Sequence, residues 1–469
     1  MARARSAASS KSTRPRVTED DGAKILSEVA AGKHDKVRVA GCDIDGVLRG
    51  KYMHRDKFLS AAKGGFGFCN VIFGWDAADV CYDNTRYTGW HSGYPDVQAC
   101  IDRNTFRRVP WDDNVPFFLA DFVDDAGADL PICPRRLLRR IVARANDAGF
   151  SPNAGMEFEW FNFKETPQSL HDKGFHEPQP ISPGMFGYSL LRTGRNLPFF
   201  NALQDEMQAF GVPIEGLHTE TGPGVLEAAV QYSNALEAAD RAVLFKWGAR
   251  DIGARFEIMP SFMAKWNSQL PGCSGHIHLS LAAGEKNAFH DAKDHHRMSG
   301  VFKSFLAGVL TALPEILPMF APTVNSYKRL VEGYWAPTRS NWGVDNRTVA
   351  MRVIPGSEKS TRLELRVPGS DCNPYLAMAA GIAAGIWGVE QELSLAQLPV
   401  RGSGYADKTS QRLPRDLNEA QHAMSQSELA RTLFGDAFVD HFTATREWEW
   451  RQYSTAVTNW ELKRYFEII

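Results

Sequence analysis

Three short stretches, far apart in the chain, carry the same alternation of ionisable side chains with large apolar ones. In Met156–Trp160 (MEFEW), Glu157 and Glu159 alternate with Met156, Phe158 and Trp160. In 275–280 (GHIHLS), His276 and His278 alternate with Ile277 and Leu279. In 361–368 (TRLELRVP), Arg362, Glu364 and Arg366 alternate with Leu363, Leu365 and Val367. Successive side chains of a strand point to opposite faces. Each stretch therefore predicts a strand with one apolar face for the core and one face armed with carboxylates, imidazoles or guanidinium groups.

Taken singly, each of these fits a half-exposed strand with solvated charges. A fourth stretch, His218–Glu227 (HTETGPGVLE), sets Glu220 and Glu227 on either side of the turn-forming Gly222-Pro223-Gly224 and, taken singly, reads as a loop with two exposed acids. The conjunction changes the reading. Five carboxylates, one or two imidazoles and several arginines make sense as the lining of one cavity, because clustered acids repel unless cations sit among them. Carboxylate oxygen with at most one imidazole per ion suits Mg²⁺ or Mn²⁺, and the absence of cysteine ligands argues against structural zinc. Two such ions can hold the phosphates of a nucleotide. The arginines then grip phosphate and carboxylate and offset charge on a transferring phosphoryl group.

The rest of the chain bounds the fold. A length of 469 residues favours two domains, one of them large, and 43% hydrophobic with 23% charged residues is the composition of a packed globule. A formal net charge of -2 supplies no global field for nucleic acid or an anionic membrane, so neither is an expected partner. The most apolar stretch, Pro374–Val389, is shorter than a bilayer span and predicts a buried helix. Seven scattered cysteines without a C-x-x-C pair point to a reduced, cytoplasmic protein. Residues 1–18, rich in Ala, Ser, Arg and Lys, are expected to form a disordered tail, although an organelle transit peptide has the same look.

A helical segment near Asp20–Ala31 precedes residues 37–55, which alternate around Asp45-Gly46 and predict a β-hairpin. Strand-like runs at Phe66–Asp76 and Val115–Val123 enclose a Gly-, Asp- and aromatic-rich connection holding Trp75, Asp76 and Asp79. These define an N-terminal sheet domain over residues 19–129. Pro134–Asp147 has Leu137, Leu138, Ile141, Val142 and Ala145 at helical spacing and opens a larger domain over 130–469. No regular βαβ period, G-x-G-x-x-G or P-loop follows, which excludes Rossmann and P-loop readings and leaves an α+β class.

From about Lys36 onward the motifs resemble, in order and spacing, the glutamine synthetase family of bacterial type. The resemblance implies a β-grasp-like N-terminal domain and a catalytic domain whose antiparallel strands form a funnel between subunits of hexameric rings, usually stacked into dodecamers. It implies that Glu159, Glu220 and Glu227 hold one metal, and that Glu157, His276 and Glu364 hold another nearer the ATP phosphates. Glu215, Tyr232, His278, Ser280, Arg352, Lys359 and Arg362 match nucleotide-contacting positions, and Gly272, Arg329, Arg347 and Arg366 match positions for glutamate or the transferring phosphate. Asp76, from the adjacent subunit, matches an acid that binds and deprotonates ammonium.

The family reaction joins an amine to L-glutamate through γ-glutamyl phosphate, with ATP as co-substrate. Two departures bear on the amine. The family's flap reads G-Y-E-A-P, whereas Gly333-Tyr334-Trp335-Ala336-Pro337 has tryptophan in place of the glutamate that takes up a proton. Pro271 replaces the Asn of N-G-S-G-x-H. The chain also lacks a counterpart of the tyrosine that enteric enzymes adenylylate, so no such regulation is expected. These changes resemble the γ-glutamyl-amine ligase branch, and the tryptophans Trp75, Trp90, Trp335 and Trp342 lean towards an apolar alkyl or aromatic amine such as aniline. The alternatives are an ammonium-using glutamine synthetase and a catalytically silent ring-forming relative.

Overall fold

The computed structural model describes residues 19–124 and 126–469; the tail expected over 1–18 lies outside the described residues. The chain is a mixed α+β fold around two sheets. The first has five strands, β1 (Lys36–Cys42), β2 (Leu48–His54), β3 (Phe66–Cys69), β4 (Asp96–Val109) and β5 (Val115–Val123), in the order β2-β1-β5-β4-β3. β1 and β5 run parallel, and the other neighbours run antiparallel.

The β1–β2 hairpin turns where Asp45-Gly46 predicts it. Asp43 Oδ1 accepts from the backbone N–H groups of Asp45 and Val47 at 3.0 and 2.8 Å. Gly46 has φ +84°, and a Cβ there would sit 3.0 Å from Asn373 Cα, so the turn needs glycine both for its conformation and for its approach to the second sheet's helical layer.

Two expectations need correction. The run Phe66–Asp76 is a short strand followed by a 3-10 turn at Asn70–Phe73, and the connection after it contains a 14-residue strand, β4. β4 escapes a periodicity reading because a bulge between Asp102 and Arg107 breaks its alternation. Two of its charged residues are held in buried ion pairs: Asp102 accepts from Arg135 at 2.9 Å, and Arg107 donates to Glu237 at 3.0 Å. Arg135 also reaches Asp121 at 2.7 Å and Asp240 at 2.8 Å, which locks the first sheet to the helix Ala235–Ala254.

The second sheet has nine strands: β6 (Ser151–Phe163), β7 (Ile214–Thr219), β8 (Val225–Asn234), β9 (Met259–Ser261), β10 (Gly275–Ala283), β11 (Lys286–Asn287), β12 (Trp342–Val344), β13 (Met351–Ile354) and β14 (Arg362–Leu365). Seven follow the order β12-β13-β14-β10-β6-β8-β7, with β11 on β10 and β9 on β6. All three alternating motifs are strands, β6, β10 and β14, and they are neighbours.

Their apolar faces share one core. Phe158 and Trp160 meet Phe245 of Ala235–Ala254 at ring separations of 5.7 and 5.3 Å. Leu279 and Leu365 close on Gly381 of the helix Pro374–Glu390, which is buried along most of its length. The helix Gly300–Ile316 lies against that helix through a Gly308–Gly388 approach that leaves no room for a side chain. By length and composition Gly300–Met319 also suits a membrane crossing, yet 67% of its most apolar window is buried inside the fold.

Candidate active site

Register converts the alternating motifs into rows on one sheet face. Arg352 on β13, Glu364 on β14, His278 on β10 and Gly155 on β6 are successive cross-strand partners. His276 on β10, Glu157 on β6 and Ala229 on β8 form the next row. Glu159 on β6, Glu227 on β8 and His218 on β7 form the third. Glu227 therefore sits on a strand, and only Glu220 lies beyond the end of β7.

Two clusters of potential ligands result. In the first, His276 Nδ1 lies 3.5 Å from Glu364 Oε1 and 3.7 Å from Glu157 Oε2. His278 joins it: Nε2 is 3.0 Å from Glu157 Oε1, while Nδ1 accepts from Arg362 Nε at 3.0 Å. The second brings His218, Glu220 and Glu227 within 4.8 Å of one another. His218 Nε2 is 3.4 Å from Glu227 Oε1, and Nδ1 is 3.9 Å from Glu220 Oε2. Glu159 faces Glu227 across the ladder and accepts from Ser274 N–H at 2.6 Å.

Charge explains how acids persist here. Burial works to raise the Glu157 carboxyl, but His276 and His278 outweigh it and hold the group well below the carboxylate range. Glu364 is likewise buried, and His276, Arg366, His278 and Arg352 bring it down to about 2. Its partners are close: Arg352 Nη1 donates at 2.7 Å, and Arg366 donates to the other oxygen. Glu159 goes the other way, raised by burial with the facing Glu227 carboxylate adding to the effect. Its neighbour Cys273 is fully buried, and burial together with Glu159 keeps it a thiol. The available donors are thus hard carboxylate oxygens with imidazole, and the Glu159–Glu227 pair lacks a guanidinium of its own among the described residues. That donor set fits a hard divalent cation.

Beside the first cluster is a cavity of about 290 Å³ whose walls include Glu215, Tyr232, His278, Ser280, Lys359 and Arg362. Gly155 opens it: a Cβ there would approach Tyr232 Cβ to 3.2 Å. Arg352, the other predicted nucleotide position, instead spans Glu364 and Asp345, donating to the latter at 2.6 Å. Arg329 is buried with its guanidinium on the carbonyls of Val367 and Arg366 at 2.9 and 3.1 Å. Gly272 packs directly on it, since a Cβ would fall 2.8 Å from Arg329 Cγ. Arg366 Nε donates to the Arg347 carbonyl at 3.0 Å, fixing the backbone of an exposed residue that shares a groove with Trp335. Trp335 itself is 60% exposed with φ +61°.

Asp76 is not among these groups. Its carboxylate accepts from Ala78 and Val80 N–H, and from Trp448 Nε1 at 3.0 Å, beside the helix Asp436–Thr455. Trp342 is a core residue donating to the Gln397 carbonyl, and Trp75 stacks under Arg49.

The glutamine synthetase catalytic domain matches residues 131–465, about seven-tenths of the chain. The chain belongs to the glutamine synthetase family. The family resemblance extends over nearly the whole sequence in relatives of different names. A type-1 glutamine synthetase 2 of Dictyostelium discoideum is 54% identical over 95% of this chain and 86% of its own. A glutamate–isopropylamine ligase of a Pseudomonas species is 36% identical over 95% and 98%. A γ-glutamylethanolamide synthetase of Streptomyces coelicolor is 38% identical over 94% of each chain. A solved structure described as a GmaS/ADP complex superposes with TM-score 0.81 at 27% identity, covering 94% of this chain and 99% of that one. The protein is accordingly an ATP-dependent ligase of this family, whose members use ATP and divalent metal ions.

Two neighbours of the clusters lie outside the set read from sequence. His218 belongs to the second cluster, and its alternation with Glu220 is the same two-residue signal as in β6 and β10. Contact with Glu227 raises its imidazole pKa. Tyr188 stacks on His218 at 4.3 Å from a loop where it adopts φ +56°, a placement that no local sequence pattern announces.

Proposed function

We propose that this ligase joins an organic primary amine, apolar alkyl or aromatic, to the γ-carboxylate of L-glutamate. The observation that carries the reading is Trp335, which occupies the flap position of the family's proton-accepting glutamate and lies exposed in a groove shared with Arg347. An indole can neither pair with ammonium as a counter-ion nor accept its proton, but it offers apolar surface to a substituent. The ligase names of two relatives, for isopropylamine and ethanolamide, support the same class.

In this proposal ATP occupies the cavity of Tyr232, Glu215, Ser280 and Lys359, with the adenine on Tyr232. Mg²⁺ or Mn²⁺ ions held by Glu159, Glu220 and Glu227, and by Glu157, His276 and Glu364, would neutralise phosphate oxygens. Gly272, Arg329 and Arg366 seat glutamate so that a γ-carboxylate oxygen attacks the γ-phosphorus in line, ADP leaving. Arg347 offsets charge on the transferring group. The unprotonated amine then forms the C–N bond, phosphate leaves with the C–O electron pair, and the surplus amine proton passes to Asp76 of an adjacent subunit. The same proposal places the enzyme in the cytoplasm as hexameric rings stacked into dodecamers, with residues 19–129 as the N-terminal domain and 130–469 as the catalytic one.

A second reading, glutamine synthesis from ammonium, is favoured by the name of the 54% identical relative. Competition separates them. With glutamate, ATP and equimolar ammonium and isopropylamine at a pH that leaves some of each unprotonated, the γ-glutamyl amide is expected to dominate the products by mass spectrometry. Glutamine as the main product would refute the amine-ligase reading. Trp335→Glu is expected to raise the glutamine share.

A further inference from the structure

The groove of Trp335 is lined by apolar Val344, Pro399 and Val400, by two arginines and by Asp345. Arg347 and Arg401 both line it, and neither has a carboxylate partner among the described residues. Of the acids there, Asp345 lines the groove but its Oδ1 accepts from Arg352 at 2.6 and 3.0 Å, and Glu332 lies 3.6 Å from Lys408. Arg401 is also firmly presented. Val400 N–H donates to the Trp342 carbonyl at 2.8 Å, and Asn346 Nδ2 donates to the carbonyls of Val400 and Gly402 at 3.2 and 2.8 Å, clamping the backbone on both sides of it. Pro399 and Val400 add apolar surface to the same groove.

We propose that this groove receives the organic substituent of the amine and that Arg401 is a specificity-determining residue, admitting neutral or anionic far ends and rejecting a second positive charge. The proposal rests on the amine-ligase reading above. The nitrogen that attacks must be unprotonated, but the far ammonium of a diamine stays charged at neutral pH. In the groove it would meet the Arg401 guanidinium and lose water, while the lining carboxylate of Asp345 already accepts from Arg352 through Oδ1. Like charges in such a groove cost about five- to tenfold in binding, an effect that salt screens. An alkyl chain loses nothing there, and a far carboxylate gains a charge-assisted partner.

The test uses the assembled full-length enzyme with saturating ATP, glutamate and Mg²⁺, and compares kcat/KM for butylamine, 1,4-diaminobutane and 4-aminobutanoate. Butylamine is expected to exceed 1,4-diaminobutane by about tenfold at low ionic strength, with the gap narrowing in 0.5 M KCl. Arg401→Glu should cut the butylamine-to-diamine ratio at least about fivefold and weaken 4-aminobutanoate, while Arg401→Lys keeps the wild-type order. A ratio unchanged within twofold in Arg401→Glu, or a wild type that uses the diamine as well as butylamine, overturns the role of Arg401 alone. Ammonium outperforming all three amines in the wild type overturns the amine-ligase reading and this proposal with it.

Discussion

Glu159 on β6 and Glu227 on β8 are direct cross-strand partners, two acids facing each other across a ladder. Like charges at facing positions destabilise a sheet; burial raises the Glu159 carboxyl, and Glu227 adds to the rise against an opposing effect of His276. His218, 3.4 Å from Glu227, and the nearby His276 offset part of that cost, and a bound cation would offset the rest. Glu227→Gln is therefore expected to raise the melting temperature of the metal-free enzyme by about 1–3 °C, roughly 1 kcal/mol. The same variant should lose most of the thermal shift that Mn²⁺ gives the wild type, together with more than about a hundredfold in turnover. A variant less stable than wild type in chelator would show that the two acids do not oppose each other.

Gly155 and Tyr232 are adjacent in the lining of the cavity, where a Cβ on Gly155 would come within 3.2 Å of Tyr232 Cβ. Gly155→Val is expected to displace the tyrosine and raise KM for ATP about tenfold, with KM for glutamate little changed. Tyr232→Ala should do the same by removing the stacking surface. Equal effects on both Michaelis constants would place the cavity elsewhere in the reaction.

Acid should destabilise the protein over two pH windows. Burial lowers the His441 imidazole to about 4, so it stays neutral in the fold, and its contribution is lost as pH falls from about 6.5 through 4. Asp102 behaves as a depressed acid: burial opposes, but Arg135 and Arg139 outweigh it and hold the group at about 2. Its contribution, roughly 2 kcal/mol, is present above the unfolded value near 3.9 and lost as pH falls towards 2. Urea unfolding at stepped pH measures both windows; His441→Gln should remove the first and Asp102→Asn the second. A stability independent of pH between 6.5 and 4 would contradict the first assignment.

The sequence reading succeeded where chemistry was written in strand alternation. MEFEW, GHIHLS and TRLELRVP are β6, β10 and β14, and the apolar half of each pattern packs in the core while the polar half forms the rows of the site. It failed where tertiary contacts override pattern. β4 hides its period behind a bulge and buried ion pairs, and Tyr188 reaches His218 only through a loop of left-handed backbone. His218 was legible, because its spacing from Glu220 repeats the strand signal, but the following Gly222-Pro223-Gly224 made the segment look like loop.

Acids distant in sequence meet as a paired cation site in the proposed reaction, and counting bound ions tests that pairing. Glu364 is the buried partner of both Arg352 and Arg366, so alanine would leave two guanidinium groups uncompensated, and Glu364→Gln is the cleaner variant. Calorimetric titration of Mn²⁺ into metal-stripped enzyme is expected to show at least two ions per chain in the wild type and one fewer in Glu364→Gln, with the oligomer unchanged. Fewer than two in the wild type, or the same count in the variant, would contradict the account.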